Sequence, residues 1–163
     1  MMNVLTMNLV LSTLVFWTAA KIYLVPQLAR LRPETILVPI LLLHSLRHLG
    51  LMFLAPGAVL EGMPPQFATP AAYGDLVTAA LAMAAILAGT PRALVWAFNV
   101  VGTVDLLLAI ALAIVYGAPD FMGAAYWIPA FWVPALLVTH YLVFVLLTRH
   151  YIGNRRAEGL KPS

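Results

Sequence analysis

Residues 33–54 read PETILVPILLLHSLRHLGLMFL. The run is apolar apart from its opening turn and a polar group in its second half, and its length suits a helix crossing ~30 Å of hydrocarbon. Within it stand His44, Arg47 and His48. Ionisable groups at that depth cost several kcal/mol unless they face one another or water, so the same stretch that declares a membrane span also marks a working site. Spaced at i, i+3 and i+4, the three side chains are expected on one face of an α-helix, aimed at a common partner. Pro33 fits the first helical position, where a missing N–H costs nothing.

Four more apolar runs flank this one, at about 4–24, 71–88, 92–116 and 125–147, with the central run counted as 34–54. The expected fold is all-α: a polytopic membrane protein of five transmembrane helices forming a single domain over 1–163, with a basic tail at 149–163. The composition agrees, with 63% of residues hydrophobic and 9% charged, and a mean hydropathy of +0.96. There is no cysteine, which removes disulfides, thiolate metal sites and thiol catalysis. Met1-Met2-Asn3 lacks the basic start of a secretory signal, so the first run is expected to be retained although Thr18-Ala19-Ala20 resembles a cleavage site. Thr69-Pro70 reads as an N-cap and first helical residue for the third run, and Gly89-Thr90-Pro91 as the tight turn of a helix pair. Pro129 and Pro134 are expected to kink the fifth run.

Basic residues in short loops stay on the cytoplasmic side. Lys21, Arg30, Arg32, Arg92 and the tail basics Arg149, Arg155, Arg156 and Lys161 fall on one side of the five runs, and Glu61 and Asp120 on the other. The N terminus is therefore expected outside and the C terminus in the cytoplasm, in a plasma membrane of the bacterial inner-membrane kind. The net charge of +3 is this orientation signal rather than a nucleic-acid surface. Trp17, Tyr126, Trp127 and Trp132 read as interfacial anchors.

Counting about 1.5 Å of rise per residue puts His44 and Asp105 near the midplane, and His140 about one turn to its cytoplasmic side. These three are the candidate acid–base, catalytic residues. A buried guanidinium cannot shed its proton and needs a carboxylate, a carbonyl or an anionic ligand. Arg47 therefore looks toward Asp105 or toward Asp75, which the count places with Tyr73 at the outer end of the third run. An ionised Asp105 at its depth has to be paired. Arg47, His48, Tyr73, Asp75, Asn99 and Thr139 are the candidate ligand-binding residues; Asn99 and Gly102 equally suit helix packing, and His140 taken alone suits a hydrogen-bonded helix link. His150 reads as a solvated interfacial residue.

Three functions fit this set. The first is a pocket among the second, fourth and fifth helices, open to the outer side, that binds a small apolar or amphipathic ligand and performs acid–base chemistry on it. The second is a membrane redox protein holding haem or a divalent transition metal through His44, His48, Asp105 and His140, with His44 and His140 as an axial pair. The third is a proton-coupled transporter or channel subunit, for which five helices without an inverted repeat would call for a homo-oligomer. Membrane lipids are the remaining expected partners. Retinal attachment is disfavoured, because Lys21 lies at the edge of its span.

The segments His44-Ser45-Leu46-Arg47-His48, Ala72-Tyr73-Gly74-Asp75, Phe98-Asn99 with Gly102 and Asp105, and Val138-Thr139-His140 together resemble small bacterial five-helix membrane proteins of no assigned function. The resemblance covers most of the chain and implies a fold without an activity. In helix number the chain is also similar to the tryptophan-rich translocator-type proteins that bind porphyrins, whose loops and tryptophan placement it does not reproduce. To the sterol-isomerase-like group it is similar in architecture only.

Overall fold

Pro33 opens α2 (Pro33–Ser45) at its first turn, as its fixed φ and missing N–H allow. The chain then tightens, without a break, into a 3-10 segment over Leu46–Leu54. The computed structural model describes the backbone of residues 4–158 and the side chains of residues 4–148. Within it α1 (Val4–Ala19) continues through a π turn at Ala20–Leu24 and a 3-10 turn at Val25–Ala29, where Pro26 removes a ladder donor. α3 (Pro65–Leu87), α4 (Arg92–Val115) and α5 (Val133–Glu158) complete the bundle. Five helical stretches are long and apolar enough to cross a membrane: Val4–Ala29, Pro33–Leu54, Pro65–Leu87, Arg92–Val115 and Gly123–Thr148. The side chains of the basic tail, and His150 with them, lie outside the described residues.

The third helix departs from the sequence reading. Pro65, not Pro70, takes the first helical position, and Pro70 lies inside the helix. Its lost hydrogen bond is outweighed by packing on both sides: Phe67, Ala68 and Ala71 are buried against Met122, Ala125 and Ile128. The shift moves Asp75 ten residues into the helix, roughly 15 Å from its start, so Asp75 sits at mid-depth rather than at an end. Further along, small buried residues at Ala72, Ala79, Ala82 and Ala85 let the neighbouring helices approach α3 closely. The expected tight turn between α3 and α4 is present, with Gly89 and Thr90 both at positive φ. The expected irregularity in the fifth span is a π turn at Ile128–Trp132 containing Pro129.

The connections at the Glu61/Asp120 end are docked on each other by backbone hydrogen bonds, Leu60 N to Phe121 O and Ala125 N to Ala58 O, both at 2.9 Å. At that same end Asn8 donates to the Tyr126 hydroxyl at 3.3 Å. Trp17 packs edge-on against Tyr141 with ring centroids 5.3 Å apart. Two apolar clusters occupy the two ends of the bundle. One gathers Leu37, Leu41, Ala82, Val95, Phe98 and Leu142; the other gathers Phe53, Phe67, Ala71, Met122 and Ile128. Between them lies a polar layer.

The 3-10 winding decides what faces that layer. At 120° rather than 100° per residue, positions three apart stay in line instead of drifting by about 60° per step. Leu41, His44, Arg47, Gly50 and Phe53 are accordingly all buried, whereas His48, Leu51 and Leu54 are exposed. Continued α-helical winding would turn Phe53 about 180° away from His44. Because the chain has no cysteine, single nitroxide-labelled cysteines at the exposed positions 48, 51 and 54 report this directly in bilayers without disturbing the buried face. Oxygen collision rates are expected to be high at all three; a low rate at 51, which continued α-helical winding would turn to within about 20° of His44, would contradict the 3-10 winding.

Candidate functional site

Arg47 is the centre of the polar layer, with its side chain wholly buried. Its Nε donates to Asp75 Oδ1 at 2.6 Å, and its Nη2 to Asp105 Oδ2 at 2.6 Å. Its Nη1 donates to the Gly102 carbonyl at 3.2 Å and to His140 Nε2 at 3.1 Å. One guanidinium thus ties the second span to α3, α4 and α5. Both candidate carboxylates are engaged at once, which joins α3 to the three helices expected around the site.

The hydrogen bonds assign the histidine tautomers. A guanidinium only donates, so His140 Nε2 accepts and the ring proton sits on Nδ1, which donates to Asn99 Oδ1 at 2.8 Å. Asn99 in turn donates through Nδ2 to the His140 carbonyl at 3.3 Å. His140 is therefore held uncharged, and Asn99 positions it. The Thr139 hydroxyl donates to the Ala135 carbonyl at 2.8 Å, which leaves its oxygen to accept from His44 Nε2 at 2.9 Å. His44 Nδ1 is buried without a partner. The two imidazoles lie against each other, centroids 4.3 Å apart, and Phe98 covers both.

Three glycines make these approaches feasible in a repeating way. A Cβ on Gly50 would collide with the Asp75 carboxylate, one on Gly74 with the Asp105 carboxylate, and one on Gly102 with the His140 ring. Each of three successive spans therefore offers a bare backbone to an ionisable side chain from the next. Reading for ionisable residues missed Gly50 and Gly74. The signal was present in Gly74 preceding Asp75 and in Gly50 standing three residues beyond Arg47.

Two of the expected site residues are elsewhere. His48 is exposed, and its Nδ1 lies 2.9 Å from the Ser45 carbonyl; the shared α-helical face expected for His44, Arg47 and His48 fails because the segment winds with three residues per turn. Tyr73 is also exposed, on the side of α3 away from Asp75. The proposed metal set His44, His48, Asp105 and His140 is not assembled. His48 points away, both nitrogens of His140 are engaged by Arg47 and Asn99, and Asp105 is paired with Arg47. Among the described residues no group of three or more His, Cys, Asp or Glu is placed to hold a metal ion. His44 and His140 do not fit a haem axial pair either, since both ring nitrogens of His140 are engaged.

A cavity of about 420 Å³ adjoins the cluster on the Glu61/Asp120 side. Its walls come from α1, the 3-10 segment Leu46–Leu54, α3, α4 and the segment leading into α5, including Leu9, Phe53, Phe67, Leu106, Ile110 and Ile128. Asp75 contributes to its lining and Asp120 lies at the opposite, loop end. His44, Asp105 and His140 do not line it. Arg47 does not line it either, so Asp75 is the member of the cluster that meets the cavity.

Gly74→Ala separates packing from helix propensity. Propensity alone predicts a gain of about 1 kcal/mol, whereas displacing the Asp105 carboxylate predicts a loss of about 1–3 kcal/mol. A net loss is expected in denaturant unfolding of the protein in mild detergent, and a gain would show that α3 and α4 do not meet there.

The family model described as a domain of unknown function (DUF8737) matches residues 4–148. No curated protein and no solved structure matches the chain. The match spans all five apolar stretches and the whole Arg47 cluster, and the chain belongs to the DUF8737 family.

Proposed function

We propose that this chain is a multi-pass protein of a bacterial inner membrane, N terminus outside and C terminus in the cytoplasm, that binds a small apolar or amphipathic molecule in a pocket open to the outer side. The observation that carries the proposal is the cavity of about 420 Å³ with apolar walls and the Asp75 carboxylate among its lining. Ligand sites of small molecules are typically concave, mostly apolar and about 300–1,000 Å³, with a few placed polar groups. The orientation rests on the basic residues Arg30, Arg32 and Arg92 at one end and the acidic Glu61 and Asp120 at the other.

The Arg47 cluster then serves as the rigid floor of the pocket. Acid–base chemistry on a bound molecule falls to Asp75, which lines the cavity, rather than to His44, Asp105 and His140, which do not. A proton-coupled transporter or channel is less well supported. Arg47 stands between Asp75 and His140 and does not release a proton, so it interrupts a relay along this route.

Filling the cavity tests the proposal. Ala109 and Ala113 line it and are only partly buried, so Ala109→Phe and Ala113→Phe are expected to fold while weakening the binding of an apolar naphthyl dye by about tenfold or more. This is a loss of at least about 1.4 kcal/mol, read by fluorescence titration in nanodiscs. His48→Ala is expected to leave binding unchanged. Equal dye binding by all these variants would place the ligand elsewhere.

A further inference from the structure

We propose that the occupant of this cavity is a lipophilic cation, an apolar body carrying an ammonium head that docks on Asp75. The inference rests on the pocket reading above and adds the charge of the ligand. Two observations support it. The first is the charge balance of the cluster: the single guanidinium of Arg47 faces two carboxylates, Asp75 and Asp105, and the tautomer of His140 leaves that ring uncharged. With both carboxylates ionised these three groups hold one negative charge in excess, and Asp75 is the one of them that lines the cavity. The second is the cavity wall, whose charged lining residues are Asp75 and Asp120, with no lysine or arginine among the lining.

The geometry leaves Asp75 able to accept more. Its Oδ1 takes the bond from Arg47 Nε, but a carboxylate has about four lone-pair positions over two oxygens. Its side chain retains 15% exposure although Arg47 retains none. An ammonium head in the cavity thus meets a carboxylate that its arginine partner does not saturate, in surroundings where Coulombic attraction is strong. A carboxylate ligand meets repulsion from Asp120 at the loop end and from Asp75 deeper in. Asp120 adds a cation-attracting rim.

The test uses the full chain in zwitterionic-lipid nanodiscs, with empty nanodiscs as the blank, and equilibrium dialysis of three probes sharing one naphthylalkyl body. One ends in trimethylammonium, one in the neutral tert-butyl isostere and one in carboxylate. The ammonium probe is expected to bind at least about tenfold more tightly than the isostere, and the carboxylate probe more weakly than either. Asp75→Asn preserves side-chain volume and an acceptor for Arg47 Nε. It is expected to bring the ammonium and neutral probes to within about twofold of each other without abolishing the neutral one. Asp120→Asn supplies a second variant outside the buried cluster, expected to reduce the same preference partially.

Equal binding of ammonium and isostere by the unmodified protein would overturn the cation assignment and leave the apolar pocket standing. An ammonium preference that survives Asp75→Asn undiminished would overturn the assignment to Asp75. Binding of none of the three would overturn the pocket reading together with this one.

Discussion

An arginine that cannot give up its proton, buried between helices, sets the terms for the rest of this molecule. Leaving a guanidinium unpaired at that depth is far more costly than any single packing contact can offset, so neighbouring helices must bring it acceptors. Arg47 receives them from three directions: carboxylates of α3 and α4, the Gly102 carbonyl, and a ring nitrogen of α5. In helices apolar enough to cross a membrane, hydrophobic burial would do little to choose between arrangements in lipid, where the surroundings are as apolar as the side chains. The directional demand of one fork-shaped cation supplies what burial does not.

Meeting that demand shapes the backbone. The second span gives up α-helical winding at Leu46 and runs as a nine-residue 3-10 segment, longer than such segments usually persist. The gain is alignment: Arg47, Gly50 and Phe53 all remain turned into the bundle. The glycines at 50, 74 and 102 then let Asp75, Asp105 and His140 lie directly on neighbouring backbone. Apolar on its walls, the cavity carries Asp75 on its inner side and Asp120 at its loop end, and this combination is the basis for reading it as a binding pocket.

Much of this architecture was legible in the residues. Apolar run lengths locate the five helices long and apolar enough to cross a membrane, and the requirement that Arg47 find a carboxylate points to Asp105 and Asp75 before any geometry is seen. Asn99, Thr139 and His140 lie together with His44 and Arg47. What failed did so for identifiable physical reasons. The Thr69-Pro70 pair imitates a helix start so well that Asp75 was placed at a helix end, whereas Pro65 begins the helix and burial of Phe67 and Ala71 carries it through Pro70. In an α-helix His48 would share a face with His44 and Arg47, because i, i+4 neighbours do, and the change of winding cancels that relation. The cavity itself left no trace in periodicity, because its walls are contributed by ordinary apolar residues such as Leu9, Leu106 and Ile128 from separate segments.

The central claim is that Arg47 and its two carboxylates act as one unit, and a double-mutant cycle of Arg47→Gln with Asp105→Asn, followed by reversible unfolding in mixed micelles, tests it most directly. Each single change strands a buried partner and is expected to destabilise strongly, while the pair together costs less than the two added, leaving a coupling of about 1–3 kcal/mol. Additivity to within about 0.5 kcal/mol would mean that the two side chains do not hold each other, and would contradict the account of the site.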